Sequence, residues 1–222
     1  MSFNLEQISR EVASVSRVDA LLDVGCDDGE RTLLLARSVA ATELHGIEVV
    51  PEAAAAAERR GVIVAQHDLD DGAWPYPDGR FDLLISNQVI EHVDDPDHFV
   101  SESLRVLRPG GTAVVSTENL ASWHNIAALV FGWQPFSITN VSTTRLGIGN
   151  PLAIHRGEDS SRATWTHNQV FAYRGLVELF EAHGFDVVRV AGAGYYPLGA
   201  RVGARDPRHA HFLTVTARRP AA

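Results

Sequence analysis

Apolar residues along this chain follow two rhythms that take turns. From Phe3 to Val15 they recur at helical spacing (Phe3, Leu5, Ile8, Val12, Val15), which predicts a leading amphipathic helix. Ala20-Leu21-Leu22-Asp23-Val24 is a short apolar run halted by Gly25, the mark of a buried strand. Glu30 to Ala41 returns to helical spacing, with Leu33, Leu34 and Ala36 toward a core and Arg37 toward water. Leu44 to Val50 reads as a second strand. Pro51 then opens an alanine-rich helix that stops at Gly61, with proline at the first turn and glycine just past the last. Val62 to Ala65 is a third strand, Asp70 to Arg80 a loop rich in Asp, Gly and Pro, and Phe81 to Ser86 a fourth strand. A helix from Pro96 to Leu107 is closed by Pro109-Gly110-Gly111, and Thr112 to Thr117 is a fifth strand.

Strands that alternate with helices and read as continuous apolar runs specify a parallel sheet covered on both faces. From Leu120 to Trp165 the rhythm breaks, and aromatics mix with Ser, Thr, Gly and Asn. A long irregular insertion in a compact domain is functional or disordered, and this one is too aromatic for disorder. Residues 120–166, which hold Trp123, Trp133 and Trp165, are therefore expected to form a lid and acceptor pocket, with Trp123, Phe131, Trp133 and Phe136 available to stack on a ring. The rhythm resumes with a helix from Tyr173 to His183, stopped by Gly184, and two last strands at Val187–Val190 and Phe212–Ala217. The expectation is an α/β domain over residues 1–222: a doubly wound, Rossmann-like, seven-stranded and mostly parallel sheet with a lid after the fifth strand.

Composition narrows the class. With 222 residues, 45% of them hydrophobic and 21% charged, the chain is a globular protein and neither a fibre nor a disordered tract. Its single cysteine, Cys26, excludes an internal disulfide and a cysteine-rich zinc site. All 19 basic residues are arginine, and the net charge of −9 argues against a nucleic-acid partner. Arg201, Arg205, Arg208, Arg218 and Arg219 make the C-terminal stretch locally basic, which reads as a solvated face. The apolar stretch Ile126–Phe131 is far too short to span a bilayer, so no stable membrane association is expected. Met1 to Arg10 has no apolar core, so a cytoplasmic protein without a secretory leader is expected.

The chemistry starts at Asp23-Val24-Gly25-Cys26-Asp27-Asp28-Gly29-Glu30, directly after the first strand. Ligands of doubly wound sheets bind at the carboxyl ends of the strands where the strand order reverses. Glycines there let the chain turn tightly and a ligand come close. A pyrophosphate wants a helix N-terminus free of negative side chains, and this loop carries Asp27, Asp28 and Glu30. Two anions about 5 Å apart repel appreciably in a half-buried site, so a cationic ligand is favoured.

At this point the sequence resembles the class I S-adenosylmethionine-dependent methyltransferases, whose loop reads acidic-x-Gly-x-Gly-x-Gly. Asp23, Gly25 and Gly29 match that pattern, and Asp27 replaces the middle glycine. Asp tolerates positive φ better than most residues, although its carboxylate stands toward the methionine end of the cofactor. The resemblance runs from Asp19 to Asn119, is weaker from His167 to Arg218, and is absent across the insertion. It implies S-adenosylmethionine as cofactor, held by Asp23, Gly25, Cys26 and Gly29. Glu48 would accept from the ribose hydroxyls and Val49 would pack on adenine. Asp68 and the backbone of Leu69 would read the adenine edge, and Asn87 ends the fourth strand beside them. Three acids at three successive strand ends are far more specific than any one of them.

The resemblance places the methyl acceptor over the ends of the fourth and fifth strands. A hydroxyl acceptor needs its proton removed by a group within hydrogen-bond reach. His92, His124 and His167 are the candidates, with Glu118 behind them. Asp94, Asp95 and Asp97 read as a cap and first-turn acids of the following helix, the histidines lack a local metal-ligand spacing, and no metal is expected. The function implied is methyl transfer to a small molecule, at a hydroxyl oxygen. Two alternatives stay open: an NAD-dependent oxidoreductase of similar fold, which the loop charges and the lack of any lysine oppose, and a silent methyltransferase-like binding protein.

Overall fold

The computed structural model describes residues 3–139, 141–142, 144–153, 156–158, 167–196 and 202–221. Trp165 and Arg201 lie outside the described residues. Seven strands form one sheet: β1 (Ala20–Val24), β2 (Glu43–Glu48), β3 (Ile63–Gln66), β4 (Phe81–Asn87), β5 (Leu107–Glu118), β6 (Asp186–Ala193) and β7 (Phe212–Arg218). Their order is β3-β2-β1-β4-β5-β7-β6. The pairs among β1 to β5 are parallel, and β7 runs antiparallel between β5 and β6. The helices are α1 (Phe3–Ala13), α2 (Glu30–Val39), α3 (Pro51–Arg59), α4 (Pro96–Val106), α5 (Trp123–Val130) and α6 (Tyr173–Ala182). The expected doubly wound, mostly parallel sheet is therefore the fold.

Alternation along the strands sends residues to two cores. Leu22, Val24, Leu84 and Val115 pack with Phe99 and Val100 of α4 and Phe180 of α6 on one face. Leu21, Leu83, Ile85 and Val114 meet Ile8 and Val12 of α1 and Leu35 of α2 on the other. Side chains of this size are worth roughly 1.5–3 kcal/mol each when removed from water, and most of those named are fully buried. The loop after β3 is anchored to α4 by Arg105. That side chain donates to Glu102, Asp78 and the Trp74 and Tyr76 carbonyls, while Glu102 accepts from the Trp74 amide. Trp74 thereby reaches the core at 2% exposure.

Local readings failed in four places. In α2 the buried residues are Thr32, Leu35 and Ala36, and Leu34 is exposed. The left-handed Gly29 before it sets the helical phase so that Thr32 faces β1 and donates to Asp23. In α1, Phe3 is exposed while Asn4, Gln7 and Glu11 are buried. Their partners explain it, because Glu11 accepts from Gln7 and from Thr216 of β7. The stretch Pro109-Gly110-Gly111 lies inside β5, where Gly110 and Gly111 exchange backbone bonds with Arg219. The insertion opens with a regular helix, α5, followed by a 3₁₀ turn at Phe136–Ile138.

Candidate functional site

The strand order reverses between β1 and β4, and the loop after β1 turns there. Gly25 has φ +76°, and a Cβ on it would stand 2.5 Å from Cγ2 of Val89. Asp27, in place of the pattern's middle glycine, keeps a left-handed φ of +49°. A Cβ on Gly29, at φ +79°, would stand 3.0 Å from Cα of Ala57 in α3, so glycine lets α2 start close to α3. Gly25 and Asp27 line a shallow cleft that is largely open to solvent. It is walled by Leu5 and Ile8 of α1, Leu35 of α2 and Ile85 of β4, with Asp23, Asp27, Asp28, Arg31 and Asn87 as its polar lining.

Five of the loop's amides are already engaged. Gly25 and Cys26 donate to the Ile47 carbonyl, and Gly29 donates to that of Cys26. Asp27 N–H donates to Glu48 at 3.0 Å, and Glu30 N–H to Asp28 at 3.1 Å. A pyrophosphate would need such amides free. The donor set thus opposes a dinucleotide, and the acid lining suits a ligand carrying a sulfonium and an ammonium.

Asp23 is buried, and Thr32 Oγ1 donates to it at 2.6 Å. Desolvation pushes its pKa up to about 7, against the Thr32 bond and the positive charge of Arg31. A cation arriving beside it would restore its ionised form. Cys26 lines the cleft, but its thiol packs over β2, where a Cβ on Gly46 would come within 2.4 Å of Sγ. Burial drives that thiol's pKa up to about 12, so it stays protonated and unreactive. Glu48 Oε1 accepts from Val50 N–H at 2.8 Å, and Val49 is exposed beside it. Asp68 accepts from Asp70 N–H at 3.1 Å, and the Leu69 carbonyl accepts from Trp74 Nε1. Glu48, Val49, Asp68 and Leu69 follow the cleft along the same sheet edge without forming its walls. Asn87 accepts from Asn4 at 2.8 Å, and Asn4 accepts from Ser116 at 2.7 Å, which ties α1 over the cleft.

The three candidate histidines fall into two groups. His92 and His167 meet, their ring centroids 4.8 Å apart. His124 sits elsewhere, at the start of α5, beside Phe136, Tyr196 and His211. Burial lowers the pKa of His124 to about 4. His211 is also lowered to about 4, by burial and then by His124. Both are neutral at pH 7, as a proton acceptor must be. Asp95 caps α4 by accepting from His98 N–H.

The β6–β7 loop adds residues the sequence did not flag. Trp123 stacks on His209 at 4.4 Å and donates to Tyr195. Asp206 accepts from Tyr195 and pairs with His209. The one available signal was the Asp206-Pro207-Arg208-His209-Ala210-His211 cluster, which a composition reading treats as a basic tail. Leu5, Ile8 and Arg31 were missed for a different reason, because only tertiary packing brings them to the cleft.

This fold, with an acid-lined glycine loop at its switch point, defines a nucleotide-binding methyl-transfer scaffold. Residues 3–190 match a methyltransferase-domain family, and the chain belongs to that family of S-adenosylmethionine-dependent methyltransferases. Among curated relatives, the ajmaline N-methyltransferase of Rauvolfia serpentina is 36% identical over 103 residues, covering 43% of this chain and 34% of that protein. The chain spans about a third of the length of several such relatives. The ubiquinone biosynthesis O-methyltransferase of Methylobacterium sp. is 28% identical over 211 residues, 91% of this chain and 73% of that protein. A solved S-adenosylmethionine-dependent methyltransferase from Mesorhizobium loti shares the fold at TM-score 0.64 and 20% identity, over 96% of each chain. Among the described residues no helix is long and apolar enough to cross a membrane.

Proposed function

We propose that the protein transfers a methyl group from S-adenosylmethionine to a hydroxyl oxygen of a small molecule. The observation that carries this reading is the β1 loop, five of whose amides are spent internally while its lining is acidic. The O-methyltransferase relative that spans most of both chains supports the choice of oxygen. When bound, S-adenosylmethionine supplies a methyl carbon activated by the sulfonium charge.

The chain's residues then have distinct work. Asp23, Gly25, Cys26 and Gly29 hold the methionine end, and Glu48, Val49, Asp68, Leu69 and Asn87 hold the nucleoside end and the floor. Leu5 and Ile8 of α1 keep water off the cleft. Residues 120–166 act as lid and acceptor pocket, with Trp123 and Phe136 as ring contacts. A neutral His124 receives the acceptor's proton, in a pocket whose dryness keeps it neutral. His92 and His167 meet each other after β4, apart from His124. Holding an acceptor aligned near attack distance supplies several kcal/mol by itself.

Calorimetric titration with S-adenosylhomocysteine, with NADH in parallel, tests the reading. Micromolar binding of the first alone is expected. Binding of NADH alone, or of neither, overturns it.

A further inference from the structure

Glu91 and His92 follow β4, and His167 opens the segment after the insertion. Backbone bonds draw the two segments together. The Glu91 carbonyl accepts from the amides of Asn168 and Gln169, and Asn168 Nδ2 donates to the His92 carbonyl and to Asp94. In consequence Glu91, His92 and His167 each present one ligand-capable atom, and the three atoms lie within 4.8 Å of one another. Ligand atoms around a tetrahedral zinc ion are roughly 3.3 Å apart, given metal–ligand distances near 2 Å. Small side-chain rotations close the difference.

Two further observations point to a cation. Glu91 is 1% exposed; its Oε2 accepts from Thr117 at 2.9 Å, while its shielded Oε1 has no hydrogen-bond partner among the described residues. An unpaired buried carboxyl oxygen is costly, and no guanidinium among the described residues answers it there. His167 Nδ1 contacts the Ser137 carbonyl at 2.6 Å. Only an N–H makes that bond, so the proton is on Nδ1 and Nε2 keeps its lone pair. A carbonyl that fixes the tautomer of a ligating histidine is the usual outer shell of a metal site.

We propose that Glu91, His92 and His167 bind a divalent transition-metal ion of the zinc or cobalt kind. Two imidazoles and one carboxylate favour such an ion over magnesium or calcium, which prefer all-oxygen shells. Three protein ligands leave a position open for an oxygen ligand. If the methyl-transfer reading holds, that ligand is the acceptor hydroxyl, whose proton the ion would loosen; the metal site itself does not depend on that reading.

The test uses the full chain, tag removed and stripped with a chelator, titrated with zinc chloride by calorimetry and with cobalt chloride by visible absorption. One equivalent binding in the micromolar range or tighter is expected, with the intense cobalt bands of a four-coordinate site. His167→Ala and Glu91→Gln should each weaken binding at least tenfold, and His98→Ala should leave it unchanged. Circular dichroism and S-adenosylhomocysteine binding verify the fold of each variant, and His167, being partly exposed, keeps the test valid if Glu91→Gln does not fold. No stoichiometric binding, or binding that survives His167→Ala, overturns the site. Metal binding without S-adenosylhomocysteine binding would sink the proposed function and spare this site, and the reverse result would do the opposite.

Discussion

The two ends of the carboxyl edge are built from opposite materials. Over β1 and β2 the chemically distinctive side chains are acids, arranged by a loop whose contacts are mostly with its immediate neighbours in the sheet. Over β5 and β7 they are histidines and aromatics, gathered from α5 and the β6–β7 loop. Burial acts on both, with opposite sign. It raises Asp23 to about 7 and lowers His124 and His211 to about 4, because in each case it favours the uncharged form. At one end burial thus leaves an acid that a neighbouring cation would ionise, and at the other it leaves neutral rings.

The comparison breaks most directly at Gly25. Gly25→Val puts a branched side chain at φ +76° against Val89, a strain of roughly 1–3 kcal/mol before any ligand clash. S-adenosylhomocysteine binding should fall below detection, with the histidine end unaffected in its histidine NMR signals. Wild-type affinity in this variant would mean that the loop is not the cradle.

Asp23→Asn should weaken S-adenosylhomocysteine by roughly 1–3 kcal/mol, the worth of a hydrogen bond to a charged group. It should also weaken a pH dependence. In the wild type, the folded state holds a proton on Asp23 that the unfolded chain has released, between about pH 4 and pH 7. Stability from this group therefore falls as pH rises through that window, while affinity for a cationic ligand grows. Thermal melts and titrations at pH 5 and pH 8 should show both trends weakened in the variant relative to the wild type.

The smallest effect belongs to the other end. His124 and His211 have folded pKa values below the unfolded one near 6.5. Their contribution is present above pH 6.5 and is lost as pH falls toward 4. His124→Phe and His211→Phe should each spare on the order of 1 kcal/mol of that acid loss. An acid profile identical to wild type would show that these rings are not buried neutral.

Legibility followed the range of the contacts. Asp23, Gly25 and Gly29 stood out because a glycine turn after a buried strand is a local signal, and Glu48 because it ends β2, whereas Asp68, expected at the end of the third strand, lies two residues beyond β3. The strand sequence and the parallel sheet were readable for the same reason. The phase of α2 was not, since Thr32 faces inward only because Asp23 waits for it. Trp123 and Tyr195 lie 72 positions apart, so no window along the chain could join them. The buried polar stripe of α1 answers to Asn87, Ser116 and Thr216 on three different strands, and its residues alone read as solvated.

The placement of β7 between β5 and β6 has a consequence for synthesis on the ribosome. β5 is made early and β6 well after it, yet neither touches the other in the finished sheet. Residues 112–118 must wait for their partners at 212–218. Until those emerge, the nascent chain carries a long apolar strand with an open hydrogen-bonding edge, the template on which two growing chains would adhere. β7 is the strand that retires that edge and admits β6, so a ribosome stalled before residue 212 leaves behind a sticky five-stranded intermediate.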